Sequence, residues 1–308
     1  MIALYWVWRI GMFLVGVAPR RLSLVIARLM GDGAYYLMLL RRRVARENFA
    51  HVLHKPLNDP AVGRVTHQAF RNFACLLRDV MLYPSMSLHD LEERITLHHG
   101  DYFEQALAIG KGVIIVSAHF GNMDLPGALL AHKYTPLTLV GETLRPQQLM
   151  DLLTHIRKDK KVFLYPYESA PRKIIEALKR NEMTAFLLDF GVTHHFDITT
   201  VPVHFFNTET NFPAGPAQLA LLAGAPIIVG HSYVQPDGHI EVEITPPIIV
   251  QRSGNRHRDI QTTMQEIARR METFIRAHPE QWYIFRPMWK DNASAKRKIP
   301  SLSQAPNS

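Results

Sequence analysis

The chain has almost no cysteine: Cys75 is the single one among 308 residues. One thiol excludes a disulfide within the chain and makes a cysteine-based metal site implausible. Cys75 lies in the stretch NFACLLRDV, whose apolar residues have helical spacing. We therefore interpret it as a buried structural thiol within a helix.

Several signatures of nucleophiles and bound phosphates are also missing. The chain has no G-x-S-x-G sequence, so a serine hydrolase loses support. It has neither a Walker loop nor a dinucleotide-binding fingerprint. The neighbouring His194 and His195 are only a weak metal signal, and we expect neither a metal ion nor a resident cofactor.

The charge is unbalanced toward the basic side, with a formal net charge of +8. Such an excess favours anionic partners, which include nucleic acid, anionic lipid headgroups and phosphorylated co-substrates. The basic residues do not alternate with aromatic residues in any recognisable nucleic-acid-binding module. We therefore expect no nucleic acid among the partners.

The first nineteen residues, MIALYWVWRIGMFLVGVAP, form the most apolar stretch of the chain. They lack the basic start and the cleavage site of a signal peptide. Arg9 stands near their middle, where a charge is costly inside a bilayer, and interface-preferring aromatic residues surround it. Basic clusters follow at 20–21 and 41–46. These features predict a helix that lies on, or dips into, an anionic membrane surface, and an ordinary buried helix is the alternative.

Apolar periodicity divides the chain into three regions. Residues 1–110 show three- and four-residue spacing, which predicts a helical N-terminal region containing the membrane-interacting segment. From Gly112 onward, short β-branched runs alternate with helical stretches, so residues 111–291 are predicted to form an α/β core. We expect a central mixed β-sheet flanked by helices. The tail, 292–308, is polar and basic and is expected to be disordered.

Histidine is plentiful, and four of the sixteen histidines precede an acidic residue by five positions. The four pairs are His54 with Asp59, His99 with Glu104, His119 with Asp124, and His204 with Glu209. Spacing alone does not separate them, so their surroundings must. The first pair falls in a loop between helices, and helix capping and the helix dipole account for Glu104.

The pair His119–Asp124 has the setting most suited to chemistry. The run GVIIVS predicts a buried strand that carries His119 to its carboxyl end, where ligands bind in α/β sheets. Gly121 and Asn122 supply a turn, and Asp124 opens a helix. A turn of this kind can fold the carboxylate onto one imidazole nitrogen and leave the other as a base. With no resident nucleophile, such a dyad suits deprotonation of a substrate hydroxyl.

The stretch VSAHFGNMD resembles the H-x4-D/E motif of the glycerolipid and glycolipid acyltransferase superfamily. The similarity is greatest to the branch of lipid A late acyltransferases and phosphatidylinositol mannoside acyltransferases. It covers most of the chain and continues through the hydrophobic start and five ordered blocks: RRRVARENFAHVL, GETLRPQQL, FLLDFG, VPVHFFNTETNFPAGPAQLALLAGAPIIV and HPEQWYIFRPMW.

The resemblance implies a membrane-associated O-acyltransferase at the cytoplasmic face of the bacterial inner membrane. Acyl-CoA or acyl-carrier protein would be the donor, and a hydroxyl of a glycolipid, like phosphatidylinositol mannoside or lipid A, the acceptor. His119 would be the general base and Asp124 its orienting carboxylate. Glu142 and Arg145 fall in a block that lines the acceptor or phosphate site in this family, although a solvated surface arginine is the alternative.

The last predicted substrate contacts come from the segment FFNTETNFPAGP. Gly215 stands at a predicted helix start, where free N–H groups can bind phosphate or an oxyanion, or where a plain capping turn would suffice. The family commonly has Phe-Phe-Gly where this chain has Asn207, and Glu209 lies one place later than the family's glutamate. Glu209 is therefore a candidate contact, and His204 is expected to be buried in a strand.

Two choices remain open from the sequence. Asp189, at the end of the block FLLDFG, could line the same cleft, although structural capping is the interpretation we prefer. A catalytically inactive lipid-binding or membrane-docking protein of the same fold is the alternative to an enzyme. The retained His119–Asp124 pair argues against that alternative.

Overall fold

The computed structural model describes residues 2–141, 146–166, 170–189 and 199–289. Its first part is a group of four helices: α1 (Ile2–Val17), α2 (Arg20–Leu37), α3 (Leu39–Leu53) and α4 (Pro60–Leu82). The α4 helix begins at Pro60 because Asp59 accepts a hydrogen bond from the Ala61 N–H and proline fits the first helical position. A Cβ on Gly31 of α2 would lie 2.6 Å from the Cα of Arg71, so glycine lets α2 and α4 pack backbone to backbone.

Strands and helices then alternate along the chain. The further helices are α5 (Leu88–Arg94), α6 (Asp101–Ala108), α7 (Asp124–Lys133), α8 (Gln147–Lys158), α9 (Ala170–Lys179), α10 (Gly215–Ala223) and α11 (Arg256–Ala277). The strands are β1 (Ile95–Leu97), β2 (Val113–Ser117), β3 (Leu137–Gly141), β4 (Val162–Pro166), β5 (Met183–Leu187), β6 (Thr200–Phe205), β7 (Thr208–Pro213), β8 (Ile227–Val234) and β9 (Ile240–Ile244).

Among the described residues, seven strands form one mixed sheet in the order β1-β9-β8-β2-β5-β3-β4. The neighbours from β8 to β4 are parallel, whereas β9 runs antiparallel to β8 and parallel to β1. Strands β6 and β7 form a separate antiparallel pair. The prediction of a mixed α/β sheet flanked by helices is confirmed.

The core consists of two apolar clusters, which alternate residues of β2 divide between them. Ile114 and Val116 belong to one cluster, and Val113 and Ile115 belong to the other. This alternation places the two clusters on opposite faces of the sheet, because successive side chains of a strand point to opposite faces. Strand β2 is therefore covered on both sides, as its uninterrupted apolar sequence predicts.

The N-terminal region differs from its sequence-based description in one respect. Strand β1 falls within 1–110, which was predicted to be helical, and it extends the main sheet by pairing with β9. With three residues, β1 is too short to show a period of two in the sequence. The predicted tail, 292–308, lies outside the described residues.

A broad apolar surface is exposed on the first helices. Within the described ranges, no single helix has both the length and the apolar character to cross a membrane. The helices α2 and α3 have them only when taken together, and they are bent by 93° relative to each other. Large apolar side chains nevertheless face outward along α1, α2 and the start of α3: Leu4, Trp6, Val7, Ile10, Phe13, Leu14, Val17, Leu22, Val25, Ile26, Leu29, Met30, Tyr36, Leu37, Leu39 and Leu40.

Candidate active site

The sheet brings His119 next to a carboxylate from a distant part of the chain. Strands β2 and β5 are parallel neighbours, and Ser117 at the end of β2 is in register with Leu187 at the end of β5. His119 and Asp189 each follow their strand by two residues. Equal offsets from paired strand ends place both side chains at the carboxyl edge of the sheet, where α/β proteins bind ligands.

His119 is held through both its backbone and its ring. The Nδ1 atom of His119 lies 2.8 Å from Oδ1 of Asp189. The backbone N–H of His119 donates to the same carboxylate, at 3.0 Å to Oδ1 and 2.9 Å to Oδ2. The imidazole is 41% exposed, while the carboxylate is fully buried. A proton on Nδ1 directed at Asp189 leaves Nε2 as the basic nitrogen of an accessible ring.

Asp189 has a third donor, which comes from the C-terminal segment. The Nε1–H of the buried Trp282 donates to Oδ2 of Asp189 at 2.8 Å. Burial by itself raises the pKa of Asp189, but the charge of His119 and the hydrogen bonds from His119 and Trp282 outweigh it. The pKa of Asp189 is therefore below its usual value, and the buried carboxylate is ionised at neutral pH.

The same C-terminal segment clamps the backbone around His119. The N–H of Tyr283 donates to the carbonyl of His119 at 2.8 Å, and the N–H of Gly121 donates to the carbonyl of Gln281 at 2.9 Å. Phe120 and Trp282 form an isolated antiparallel bridge. The segment around Trp282 therefore fixes both the loop that carries His119 and the carboxylate that contacts this histidine.

Asp124 makes a different contact from the predicted one. It opens α7 as expected, but its Oδ1 atom accepts from Arg157 of α8, at 2.9 Å to Nε and 2.7 Å to Nη2. The contact that the structure gives to His119 Nδ1 is with Asp189 instead. The orienting geometry predicted for Asp124 is thus found at Asp189, since the parallel strand pair aligns Asp189 with His119 while α8 offers Asp124 a guanidinium.

Gly121 is the tightest point of the loop. It adopts φ = +58°, and a Cβ there would lie 1.7 Å from the carbonyl oxygen of Ser232 in β8. A left-handed conformation and the close approach of a strand both require glycine. The loop between β2 and α7 therefore lies directly on the backbone of β8.

Gly121→Ala is expected to destabilise the protein by about 3 kcal/mol or more, because β8 must move to admit a methyl group. Gly224→Ala is the matched control: Gly224 also has positive φ, +69°, but nothing lies within 4 Å of its added Cβ. The control should lose only about 1 kcal/mol from its backbone conformation. Urea denaturation of both variants measures the difference, and equal losses would contradict the close contact.

The structure describes two of the four remaining predicted substrate contacts. Glu142 and Arg145, which follow β3 in sequence, lie outside the described residues. Gly215 is the first residue of α10, as predicted, with Pro216 second. Glu209 lies in β7, exposed and opposite His204 in the ladder of the hairpin. The substrate-binding roles of these four residues stay predictions.

The prediction that His204 is buried is wrong. Strand β6 alternates between exposed and buried residues, with Val201, Val203 and Phe205 packed in the core and His204 facing outward. The three apolar residues at a spacing of two already define the inner face, so the histidine between them had to lie on the outer one.

The other two histidine pairs do not form sites. His54 caps the end of α3 in a left-handed conformation, while Asp59 caps the start of α4. His99 stacks on Tyr102. In the described part of the chain, no group of three histidine, cysteine or acidic side chains is placed to hold a metal ion, and His194 and His195 lie outside that part.

The sequence analysis preferred a capping role for Asp189, and it assigned no role to Trp282 or Arg157. Asp189 had a signal, because a polar residue follows the end of an apolar strand there just as His119 does. Trp282 was noticed only as part of the block HPEQWYIFRPMW, and Arg157 had no local signal, because their contacts with Asp189 and Asp124 depend on the fold.

Comparison with known proteins identifies the family of the chain. Residues 1–291 match the family described as bacterial lipid A biosynthesis acyltransferase. A relative from Mycolicibacterium smegmatis, named phosphatidylinositol mannoside acyltransferase, is 27% identical over 257 residues, which cover 82% of this chain and 81% of the relative. A protein of the same name from Mycobacterium tuberculosis is 27% identical over 268 residues, covering 84% and 80%. The chain belongs to the bacterial lipid A biosynthesis acyltransferase family, and it is an acyltransferase.

Proposed function

We propose that this protein transfers a fatty acyl chain from a thioester, carried by coenzyme A or by acyl-carrier protein, to a sugar hydroxyl of a membrane glycolipid. His119 is the general base. The observation that carries the proposal is the contact between His119 Nδ1 and the buried, ionised Asp189 at the carboxyl edge of the sheet. The names of the relatives support an inositol mannoside as acceptor, and the family's name supports lipid A.

In the proposed reaction, Nε2 of His119 takes the proton of the acceptor hydroxyl as its oxygen attacks the thioester carbonyl. Asp189 keeps the other ring nitrogen protonated and stabilises the imidazolium that forms. The carbon–sulfur bond of the tetrahedral intermediate then breaks, and the thiolate leaves with the proton from His119. The products are an ester and a free thiol, and no cofactor enters the balance.

The oxyanion of the intermediate needs donors fixed at the same edge of the sheet. The first turn of α10 lies beside the end of β5, since a Cβ added to Gly215 would lie 4.0 Å from Cε1 of Phe186. Gly215 and Ala217 carry N–H groups in this turn, whereas Pro216 has none. Their position supports Gly215 as a contact of the oxyanion or of a substrate phosphate.

In the proposal, the ion pair between Asp124 and Arg157 positions the substrate. Their ion pair lies at the start of α7, five residues beyond His119, and both side chains are mostly buried. Arg157 also donates from Nη1 to the carbonyl of Leu153 at 3.1 Å, and the N–H groups that remain on its guanidinium can donate to an anionic or carbonyl group. We assign the pair to substrate positioning beside the histidine.

The proposal places the protein on the inner membrane, with the apolar surface of α1 and α2 against the lipid. Side chains such as Phe13 and Val17 are 68% and 66% exposed. Exposed apolar area of this extent, beside the arginines at 20–21, suits insertion into the interface of an anionic leaflet. Glycolipid acceptors would then reach the site from the membrane.

Phe13→Glu with Val17→Glu is expected to release most of the protein from vesicles of phosphatidylglycerol and phosphatidylethanolamine, because two charges are added to the inserted face. Co-sedimentation measures the bound fraction. Leu222→Glu is the matched control, since Leu222 is equally exposed, at 67%, but lies on α10. Undiminished binding of the double variant, or equal release by the control, would contradict docking through α1.

The acceptor and donor are tested directly with the purified protein. Acyl-CoA and acyl-carrier protein are each offered with phosphatidylinositol mannoside and with a lipid A precursor, and the lipids are analysed by mass spectrometry. The expected result is one acceptor gaining a single acyl mass. Failure to acylate any hydroxyl-bearing glycolipid with either donor would contradict the proposal. Lipid analysis after deletion of the gene identifies the acceptor in the cell.

A further inference from the structure

A cluster of charged side chains is buried behind the loop that carries His119. The carboxylate of Asp79, on α4, accepts from Arg78 Nη1 at 2.7 Å through Oδ1. Its Oδ2 atom accepts from Arg94 and, at 3.0 Å, from the Nδ2 of Asn122. Asp79, Arg78 and Asn122 are all almost completely buried. We call these four residues the Asp79 cluster.

Asn122 connects the cluster to the candidate site. It lies three residues after His119 and two before Asp124. While its amide donates to Asp79, its Oδ1 atom accepts from the Leu125 N–H at the start of α7, at 3.2 Å. Its carbonyl accepts from Ser232 Oγ of β8 at 2.7 Å. One side chain therefore joins α4, the catalytic loop and the first turn of α7.

The arginines anchor the cluster to further elements. Arg78 donates from Nε and Nη2 to Ser23 Oγ of α2, at 3.1 and 3.0 Å. Arg94 donates to the carbonyl of Gly238, in the turn between β8 and β9, at 3.0 Å. The carboxylate of Asp79 is thus fixed from two directions before it meets Asn122.

Such a cluster is not explained by stability alone. Removing ionised groups from water costs free energy, and well-packed apolar residues often replace a buried ion pair without loss of stability. A buried polar network does, however, define one arrangement of the elements it joins, since any other arrangement leaves a charge unpaired. The arrangement defined here is that of the segment between His119 and Asp124.

We propose that Asp79 is a positioning residue, which acts through Asn122 to set the distance and orientation between His119 and the Asp124–Arg157 pair. This inference rests on the proposed function of His119. On one side, the loop is held by Asp189 and the Trp282 segment. On the other side, the Asp79–Asn122 hydrogen bond holds the turn from which α7 and Asp124 depart.

The test compares two variants and their combination. Asn122→Asp keeps the acceptor for Leu125 and leaves both arginines paired, but it sets a second carboxylate against Asp79. Asp79→Asn removes the buried charge. Each should lower kcat by about ten- to a hundredfold with little change in KM, because small displacements of reacting groups have effects of this size. The double variant D79N/N122D restores an amide–carboxylate contact with its direction reversed, and it should recover about tenfold in kcat.

Asp259→Asn is the matched control. Asp259 is also a buried carboxylate; it accepts from the N–H and hydroxyl of Ser253 at the start of α11. The control should lower the melting temperature and leave kcat per folded molecule unchanged. A wild-type kcat for folded Asn122→Asp, or a kcat loss in Asp259→Asn equal to that in Asp79→Asn, would overturn the inference.

Hydrogen exchange separates this inference from the proposed function. In both single variants, amides of residues 119–127 should exchange faster than in the wild type, and Asp259→Asn should leave them unchanged. Unchanged exchange in Asn122→Asp overturns the positioning role even if the protein is inactive with every donor offered. Conversely, full activity of a His119→Ala variant refutes the proposed base, while the exchange result still decides the role of Asp79.

Discussion

His119→Ala is expected to lower acyl transfer by about two to four orders of magnitude, the usual effect of removing a general base. The loss should appear in kcat, because the imidazole acts on the proton that moves in the transition state. Steady-state kinetics with a soluble acyl donor measures it. The variant should still fold, because the backbone N–H of residue 119 and the Nε1–H of Trp282 continue to donate to the buried Asp189, and a thermal melt checks this.

His204→Ala is the control for this prediction. His204 shares the five-residue spacing to an acidic residue and also lies at a strand, but it faces outward from β6. An exposed position of this kind tolerates substitution within about 0.5 kcal/mol. The variant should keep its melting temperature and its activity. An inactive His204→Ala together with an active His119→Ala would move the chemistry to the hairpin and Glu209.

The sequence was sufficient to single out His119 as the candidate base because the relevant signal is local. A β-branched run bounded by glycine, followed at once by His119 and a turn, gives both the strand and the edge of the sheet. The start of α10 at Gly215 is equally local, since proline in the first turn marks a helix start. Both features depend on fewer than about ten neighbouring residues, so no knowledge of the fold is needed.

The contact between His119 and Asp189 could not be predicted from such a local signal. Asp189 is 70 residues from His119 along the chain, and the two meet only because β5 inserts between β2 and β3 in the sheet. Chain order gives no sign of that insertion. Asp124 was preferred because it is near in sequence, although a neighbour in the chain need not be the neighbour of the ring.

The hairpin shows a failure of a different kind. The residues of β7 are mainly polar and contain no β-branched apolar run, yet Thr210 and Phe212 point into the core at a spacing of two. The prediction that His204 is buried also ignored this period in β6. Here the sequence carried the information, and the alternation of inner and outer residues would have placed both strands correctly.

Asp189→Asn is expected to lower kcat by about three to four orders of magnitude, because one amide cannot serve all the donors that the carboxylate serves. If its oxygen accepts from His119 Nδ1, its NH2 group faces the Nε1–H of Trp282. If the amide is turned, its NH2 group donates to Nδ1 of His119, and the ring proton moves to Nε2. A protonated Nε2 cannot take the proton of the acceptor hydroxyl. Both arrangements also lose the charge that stabilises the imidazolium.

Combining Trp282→Phe with Asp189→Asn separates the effect of the clash between donors from the effect of the lost charge. Phenylalanine has no N–H, so the amide oxygen of the double variant can stay on His119 without a clash between two donors. The donor clash should cost about 1–3 kcal/mol of stability. The double variant should therefore lose less stability than the two single changes added together, as a double-mutant cycle by chemical denaturation measures.

The kcat of the double variant should stay low, because the negative charge is still absent. Recovery of kcat to the level of Trp282→Phe alone would show that Asp189 acts only as a hydrogen-bond acceptor and that its charge has no part in the reaction.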